Sequence, residues 1–263
     1  MPTTFFGWVL FLLDKYGPVL LKGAGVTLLL AVVGTFIGCL IGLVVGVIQT
    51  IPMEDNDSAA KKCSVRCLQR LLDAYVEVFR GTPMIVQAMV VYYGAMSVFN
   101  IDMSPMFAGF FVVSINTGAY MAETVRGGIL SIDKGQTEGA KAIGMNHVQT
   151  MTKVILPQAL RNIMPQIGNN LIINIKDTCV LSIIGTVELF FTFKSISGAL
   201  YTYFEAATVT MIIYFILTFT CSRILRWVEN KMDGPANFDL ATSDTLAFTS
   251  GMTKYNKTTG GTH

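Results

Sequence analysis

Long stretches without any charged residue are the feature that most restricts how this 263-residue chain can fold. No charge occurs in the 31 positions between Lys22 and Glu54, and three further gaps of 21, 20 and 17 uncharged positions follow. A helix needs ~20 mainly apolar residues to cross ~30 Å of hydrocarbon. The gaps therefore predict four membrane-spanning helices, over residues 24–48, 82–99, 106–125 and 205–226.

A fifth span is predicted over 167–190, although Lys176, Asp177 and Glu188 interrupt it. Its remaining residues are apolar enough for one helix that turns a polar side toward other helices. The composition agrees, because 14% of the residues are charged, whereas a soluble domain carries about 25%. We therefore expect an all-α membrane protein with a five-span core over residues 23–228.

Lysine and arginine gather in the connections on one side of the predicted spans, which sets the orientation. Segments 50–80 and 126–166 hold five each, and we expect both on the cytoplasmic side, with the N-terminus outside and the C-terminus inside. Residues 1–22 are predicted to form an extracytoplasmic, interfacial segment. Residues 229–263, rich in Thr, Gly, Ser and Asn, are predicted to be a disordered cytoplasmic tail.

Several kinds of chemistry lack their residues in this sequence. The phosphate-binding pattern G-x4-G-K-[ST] does not occur, since no lysine directly follows a glycine. Two histidines and five scattered cysteines form neither a metal-ligand cluster nor a Ser-His-Asp set. The net charge of +2 is far lower than that of nucleic-acid-binding domains, which are strongly and locally basic. We expect no catalytic residue, metal or cofactor in this chain, and a transport or structural role ahead of an enzymatic one.

Glycine recurs at every fourth position of the first predicted span, at Gly34, Gly38, Gly42 and Gly46. These positions share one side of a helix. Such ridges let two backbones approach closely, which is a main source of packing in lipid. Two interpretations follow: packing within one subunit, which we favour, and an interface or sliding surface between subunits.

The predicted cytoplasmic loop 127–166 is unusually long, and residues typical of helix starts and ends predict a first short helix over 134–143. Asp133 with Gln136 is similar to a capping box at the start of this helix. Gly144 predicts a left-handed residue at its end. A helix this short is not stable alone, so we expect it to dock on another surface.

A second short helix is predicted in the same loop. Asn146 with Gln149 repeats the capping pattern. From this start the helix is expected to run to Leu156 and to end before Pro157, because proline interrupts a helix interior.

A motif in this loop resembles the EAA motif of ABC-importer permeases, whose usual form is E-A-A-x3-G-x9-I-x-L-P. It comprises Glu138, Gly139, Ala140, Gly144, Val154, Leu156 and Pro157. Gly139 and Val154 are small departures from the usual residues. Further segments look like the polar amino-acid uptake branch of that family: YVEVFRGTP at 75–83, GAYMAE at 118–123, RGGI at 126–129 and LPQALR at 156–161. The resemblance covers roughly residues 20–228.

The resemblance implies a permease subunit with five core spans, paired with a second permease that is identical or paralogous, in a bacterial plasma membrane. It also implies an extracytoplasmic solute-binding protein and a separate ATPase subunit that binds ATP and Mg²⁺. The helix 135–144 would insert into a cleft of that ATPase. The residues assigned to this coupling are Glu138 and Lys141 as polar contacts, Gly139 and Ala140 for close approach, and Gly144 for the turn.

Polar side chains in the third and fourth spans mark a candidate substrate path, because polar and charged groups are costly in a bilayer and tend to be functional or paired. The candidates are Asn116, Tyr120, Asn170, Asn174, Lys176 and Asp177. The alternative is that they only pack helices together. Four charged residues near the cytoplasmic border are interpreted as framework: Glu77, Arg80, Glu123 and Arg126.

The leading functional hypothesis is therefore the permease of an ATP-driven importer for a polar amino acid. The alternative from another class is a self-contained, gradient-driven secondary transporter or a channel, which often contains internal repeats; we find none. A membrane enzyme would need clustered catalytic residues, and a scaffold would not need polar faces inside its spans. Basic, glutamine-like and sulfur-containing amino acids are all compatible with the sequence.

Overall fold

The computed structural model describes residues 2–53 and 58–232, and these residues form helices and turns without any β-strand. The helices are α1 (Phe5–Gln49), α2 (Ala59–Gly81), α3 (Met84–Phe99), α4 (Pro105–Leu130), α5 (Lys134–Ala142), α6 (His147–Thr150), α7 (Leu156–Asp177), α8 (Leu189–Leu200) and α9 (Tyr203–Met232). A π-helical turn, Met151–Ile155, joins α6 to α7, and a 3-10 helix, Thr178–Ile184, follows α7. The predicted tail over 229–263 begins inside α9 and otherwise lies outside the described residues.

Within the described residues, α1, α4 and α9 are each long and apolar enough to cross a membrane. Two bent pairs of helices qualify as well when each pair is taken as one span, which gives up to five spans. One pair is α2 with α3, and the other is the α6–α7 segment, including its 3-10 end, with α8. The prediction of an all-α membrane protein is confirmed.

The glycine ridge of α1 packs against α4 in the same chain. Gly34, Gly38, Gly42 and Gly46 face Val113, Thr117, Met121 and Val125 in that order. A Cβ added at Gly42 would lie 2.7 Å from the backbone nitrogen of Ala122, closer than real Cβ atoms come. Because equal steps on α1 and α4 proceed in the same direction, the two helices run parallel. The interpretation of the ridge as packing within one subunit is confirmed.

No helix end separates residues 1–22 from the first predicted span, because α1 runs without interruption from Phe5. The N-terminal part of α1 packs on α8 and α9, where Leu12 and Leu20 are buried with Phe193. The apolar run at the N-terminus is too short to span by itself, and it is stabilised as part of this longer helix.

The prediction of a single helix over 167–190 is wrong. α7 ends at Asp177, a 3-10 helix follows, and the chain turns at Gly185, whose φ of 85° is left-handed. α8 then begins at a bend of 54° from the preceding segment. The carboxylate of Glu188 caps this new helix by accepting hydrogen bonds from two N–H groups of its first turn, at 2.8 and 2.6 Å.

Glu188 also connects three helices. Its side chain is fully buried, and it accepts further hydrogen bonds from the hydroxyls of Thr27 on α1 at 3.3 Å and Tyr214 on α9 at 3.1 Å. A buried carboxylate is costly unless it is hydrogen-bonded, and here four donors surround its two oxygens. The charge that interrupts the predicted apolar run therefore holds the start of α8 against α1 and α9.

The second helix of the loop does not end before Pro157, so that prediction is also wrong. α6, the π-helical turn and α7 follow one another without a break from His147 to Asp177. Pro157 lies just after the π-helical turn, where the regular i→i−4 pattern of backbone hydrogen bonds is already interrupted. The predicted loop 127–166 thus contains the end of α4 and the first half of α7.

We predict that Gly42→Ala destabilises the fold, because its new Cβ would force α1 away from α4. Overpacking of this kind costs ~1–3 kcal/mol, so the Tm of the purified protein in detergent should fall by several degrees. Gly25→Ala on the same helix is the matched control, since a Cβ there meets open space. Equal melting of the two variants would contradict the account of the ridge.

Candidate functional site

Five of the six candidate path residues line one cavity of about 300 Å³ between α3, α4 and α7. They are Asn116, Tyr120, Asn170, Asn174 and Asp177. The other lining residues are Thr82, Pro83, Met84, Thr117 and Ile173. We call this space the amide cavity, because the described residues that line it include three asparagines and one carboxylate.

The amide cavity lies beside a sharp break between α2 and α3, which are bent by 111°. The break falls at Thr82 and Pro83, because proline lacks an N–H and keeps the preceding residue extended. The Gln87 amide donates to the carbonyls of Phe79 and Thr82, both at 2.9 Å, and accepts from Asn116 Nδ2 at 3.0 Å. The buried Gln87 side chain thus satisfies two carbonyls that the break leaves without helical partners.

Asn174 joins three helices as well as lining the cavity. Its Nδ2 donates to Thr35 Oγ1 on α1 at 2.7 Å and to Thr117 Oγ1 on α4 at 2.9 Å. Asn170, one turn earlier, donates to the carbonyl of Gln166 on its own helix at 3.1 Å. The amide nitrogen of Asn174 therefore packs helices together, as the packing interpretation states. Asn174 also lines the cavity, so its role in a substrate path stays a prediction.

Lys176 is the one candidate that the structure does not bring into the amide cavity. Its side chain lines a separate groove of about 350 Å³, formed mainly by apolar residues of α8 and α9 such as Phe193 and Met211. Successive helix positions are about 100° apart, so Lys176 and Asp177 diverge to different sides of α7. A role for Lys176 in the path stays a prediction.

The four residues interpreted as framework lie together around a second cavity of about 440 Å³, which we call the charged vestibule. Arg126 donates to Glu123 at 2.5 Å, and Arg80 lies 3.7 Å from the same carboxylate. Glu77 lines the same space, with Asp73 one turn earlier on α2. These partly exposed ion pairs contribute little stability individually. Their charged groups line a polar cavity between α2 and α4.

Gly144 ends α5 in the predicted way, with a left-handed φ of 84°. Its N–H donates to the carbonyl of Lys141 at 2.9 Å, and the N–H of Met145 donates to that of Ala140 at 3.1 Å. These two bonds form a Schellman motif, which favours glycine at the left-handed position. The predicted glycine stop is confirmed.

The two predicted capping boxes differ in outcome. Asn146 and Gln149 form one reciprocally, with bonds of 2.9 and 3.0 Å, so that prediction is confirmed. Asp133 caps α5 by accepting from the N–H of Gly135 at 2.6 Å, whereas the Gln136 side chain pairs with Gln158 at 3.4 Å. α5 therefore begins with a simple cap and is tied by that pair to the start of α7.

The outer face of α5 is open to a partner. Glu138, Gly139 and Lys141 are exposed, and a Cβ at Gly139 would meet open space. Ala140 is only 5% exposed and packs inward. Two apolar side chains next to this face, Ile143 and Val148, are 78% and 67% exposed. The surface therefore combines charged, small and apolar groups.

Comparison with known proteins places the whole arrangement in a family. Residues 58–234 match the family described as "binding-protein-dependent transport system inner membrane component". The chain belongs to this family. It is 36% identical over 216 residues to the glutamine transport system permease protein GlnP of Escherichia coli K12. It is 33% identical over 215 residues to the arginine transport system permease protein ArtQ of Bacillus subtilis 168. Each match covers 82% of this chain and 93% of the relative.

Solved structures agree with this membership. A crystal structure of an amino acid ABC transporter with histidines matches with a TM-score of 0.74 and 34% identity, covering 88% of this chain and 100% of that one. The inward-facing methionine ABC transporter MetNI matches with a TM-score of 0.63 and 25% identity, over 81% and 97% of the two chains. The predicted resemblance to amino-acid permeases of ABC importers is confirmed. The chain is a multi-pass permease subunit of an ABC importer, and its relatives are transport subunits.

Sequence reasoning missed the cavity residues at the start of α3. Thr82, Pro83 and Met84 carry no charge and do not continue a polar helix face. A search for polar residues at helical spacing therefore does not select them. The Thr-Pro pair does signal a helix boundary. A search for helix breaks at the ends of the predicted spans would have found it.

We predict that Asn174→Ala lowers the Tm more than Asn170→Ala does. The first change leaves the hydroxyls of Thr35 and Thr117 without their donor, at a cost of ~1–3 kcal/mol. The second removes only a bond within α7. Thermal unfolding of both variants in detergent compares them, and a larger loss for Asn170→Ala would show that Asn174 does not hold the three helices together.

Proposed function

We propose that this permease carries a polar amino acid into the cell through the amide cavity. ATP and Mg²⁺ are bound by a separate ATPase chain that docks on α5. An extracytoplasmic solute-binding protein delivers the substrate, and a second permease, identical or paralogous, completes the transporter in a bacterial plasma membrane. The observation that carries the proposal is a cavity with three asparagine side chains and one carboxylate inside the fold of this family.

The amide cavity offers complementary groups for the two charges of an amino acid. Asp177 supplies a carboxylate for an ammonium group. The carboxylate of the amino acid would lie at the start of α3. There Pro83 is the N-cap, and no side chain of the described residues caps the first turn. Uncapped N–H groups at a helix N-terminus favour anions such as a carboxylate. Broken helices serve amino-acid substrates in membrane transporters in this way.

The parallel course of α1 and α4 supports the proposed orientation in the membrane. Gly46 packs on Val125, so the C-terminal ends of α1 and α4 lie at the same end of the bundle. The basic segments 50–80 and 126–166 follow these two ends. The excess of lysine and arginine supports a cytoplasmic location for this end, with the N-terminus outside and the C-terminus inside.

The docking surface on α5 differs in one respect from the assignment based on the motif. Glu138 and Lys141 are exposed for polar contacts, and Gly139 leaves room for close approach. Ala140 supports α5 from within. Ile143 and Val148 supply exposed apolar area, which gives an ATPase cleft a surface to bury.

We predict that Asp177→Asn weakens amino-acid binding at least tenfold, because a hydrogen bond to a charged group contributes ~1.5–3 kcal/mol. Equilibrium dialysis of radiolabelled arginine and glutamine against the purified permease–ATPase complex, without its binding protein, measures this. Lys176→Gln is the matched control, since it changes the neighbouring charge outside the cavity. Unchanged binding in Asp177→Asn would remove Asp177 from the site, and weaker binding in Lys176→Gln would return Lys176 to the path.

We predict that Gly139→Leu abolishes coupling while the permease itself stays folded. The leucine meets open space within this chain but would occupy the position of a closely docked partner. Co-purification with the ATPase and substrate-stimulated ATP hydrolysis should both fall more than tenfold, with an unchanged Tm of the isolated permease.

Gly127→Leu controls for a bulky residue at another exposed glycine with free space around it, at the end of α4. It should retain ATPase binding. Normal binding and hydrolysis in Gly139→Leu would show that α5 is not the docking element.

Gly144→Asp, which strains the left-handed turn, is expected to allow membrane insertion and to abolish coupled hydrolysis.

A further inference from the structure

Tyr120 lies at the position on α4 where the lining of the amide cavity ends and that of the charged vestibule begins. Asn116, Tyr120 and Glu123 follow each other along one face of α4. Asn116 and Tyr120 line the amide cavity, whereas Glu123 lines the vestibule. Tyr120 is therefore the boundary between the two spaces on α4.

The transition on the α2 side occurs at Arg80. Arg80 lines the vestibule, and Thr82, two residues later, lines the amide cavity. The guanidinium carbon of Arg80 lies 5.7 Å from the centroid of the Tyr120 ring, within the range of a cation–π interaction. The boundary residues of the two helices thus meet in one contact.

Arg80 is held at the Tyr120 ring only weakly. Its Nη1 lies 3.7 Å from Glu123 Oε2, whereas Arg126 takes the same carboxylate through two nitrogens, at 2.5 and 3.4 Å. The side chain of Arg80 is 41% exposed and Tyr120 is 42% exposed. Exposed cation–π contacts and exposed ion pairs are both weak, so little free energy is needed to separate Arg80 from the ring.

We propose that the contact between Arg80 and Tyr120 is the inner gate of the amide cavity, through which the substrate leaves toward the cytoplasm. This inference rests on the proposed function, because it takes the amide cavity as the substrate site. When the guanidinium leaves the ring, the cavity and the vestibule become continuous. The carboxylates of Asp73, Glu77 and Glu123 line the vestibule, so the displaced cation finds a partner there, as a charge near the membrane requires.

A cysteine inside the cavity tests the gate. Ile173 lines the cavity with an apolar side chain, and Ile173→Cys is introduced after the five native cysteines are replaced by serine. This parent is reconstituted with its ATPase in inside-out vesicles. The rate of its modification by membrane-impermeant methanethiosulfonates is measured from the cytoplasmic side. Arg80→Ala and Tyr120→Ala should each raise the rate about fivefold, the factor expected from losing one exposed cation–π contact.

Two reagents of opposite charge separate gating from simple electrostatics. Opening of the gate raises the rates of the cationic and the anionic reagent together. Loss of the arginine charge alone would raise the cationic rate and lower the anionic one. That second pattern, or unchanged rates in Arg80→Ala, overturns the proposal.

Arg126→Ala is the matched control. Arg126 also pairs with Glu123 and lines the vestibule. The guanidinium that lies over the Tyr120 ring is that of Arg80, so Arg126→Ala removes a similar charge and leaves this contact in place. The rate with Arg126→Ala should stay within about twofold of the parent, and so should the rate with Tyr120→Phe, which retains the ring. A rise with Arg126→Ala as large as with Arg80→Ala also overturns the gate.

Folding and the proposed function are checked separately. Each variant must co-purify with the ATPase in parental yield, and Arg80→Gln, with the same expected rise, replaces Arg80→Ala if the latter does not assemble. Excess arginine or glutamine should protect Ile173→Cys in the parent. Absence of protection by every amino acid of a panel counts against the amide cavity as the substrate site, whereas equal rates in parent and Arg80 variants count against the gate alone.

Discussion

Close parallel packing of α1 on α4 is the constraint on which the rest of the structure depends. Each ridge glycine accepts a larger side chain of α4, and a Cβ at Gly42 would collide with backbone. This contact fixes the rotation of α4 about its axis. With Thr117 turned toward Gly38 and bonded to Asn174, the neighbouring positions Asn116 and Tyr120 open into the amide cavity. The cavity is thus a consequence of helix packing that glycine permits.

Two breaks in the helices complete the arrangement. Irregular backbone at membrane depth is tolerated where protein groups satisfy it. Gln87 does this for two carbonyls at the end of α2, and Glu188 does it for two N–H groups at the start of α8. The first break exposes the start of a helix to the cavity, and the second directs α8 back against α1 and α9. Both breaks depend on one buried polar side chain each.

The sequence was sufficient for what depends on local pattern. Charge-free gaps predicted α4 and much of α1 and α9, glycine spacing predicted the ridge, and Gly144 predicted the end of α5. Asn170, Asn174 and Asp177 share one face at helical spacing and do line one cavity. The same spacing sets Lys176 apart from them, so periodicity alone could have removed it from that group.

The rest depends on residues far apart in the chain. Glu188 bonds to Thr27, 161 positions away, and no local pattern shows that a charge inside a predicted span has such partners. The continuity of α1 likewise depends on its packing with α8 and α9. The contact of Arg80 with Tyr120 joins two motifs that the sequence presents separately as framework and path.

We propose that this permease moves a polar amino acid only when a partner hydrolyses ATP. Uptake of radiolabelled amino acids by proteoliposomes that contain the permease, its ATPase and its binding protein tests it most directly. We expect a polar amino acid to accumulate only when ATP is present in the compartment that holds the ATPase, and to accumulate equally when ion gradients are collapsed. Accumulation by the permease alone, driven by an ion gradient without ATP, would contradict it.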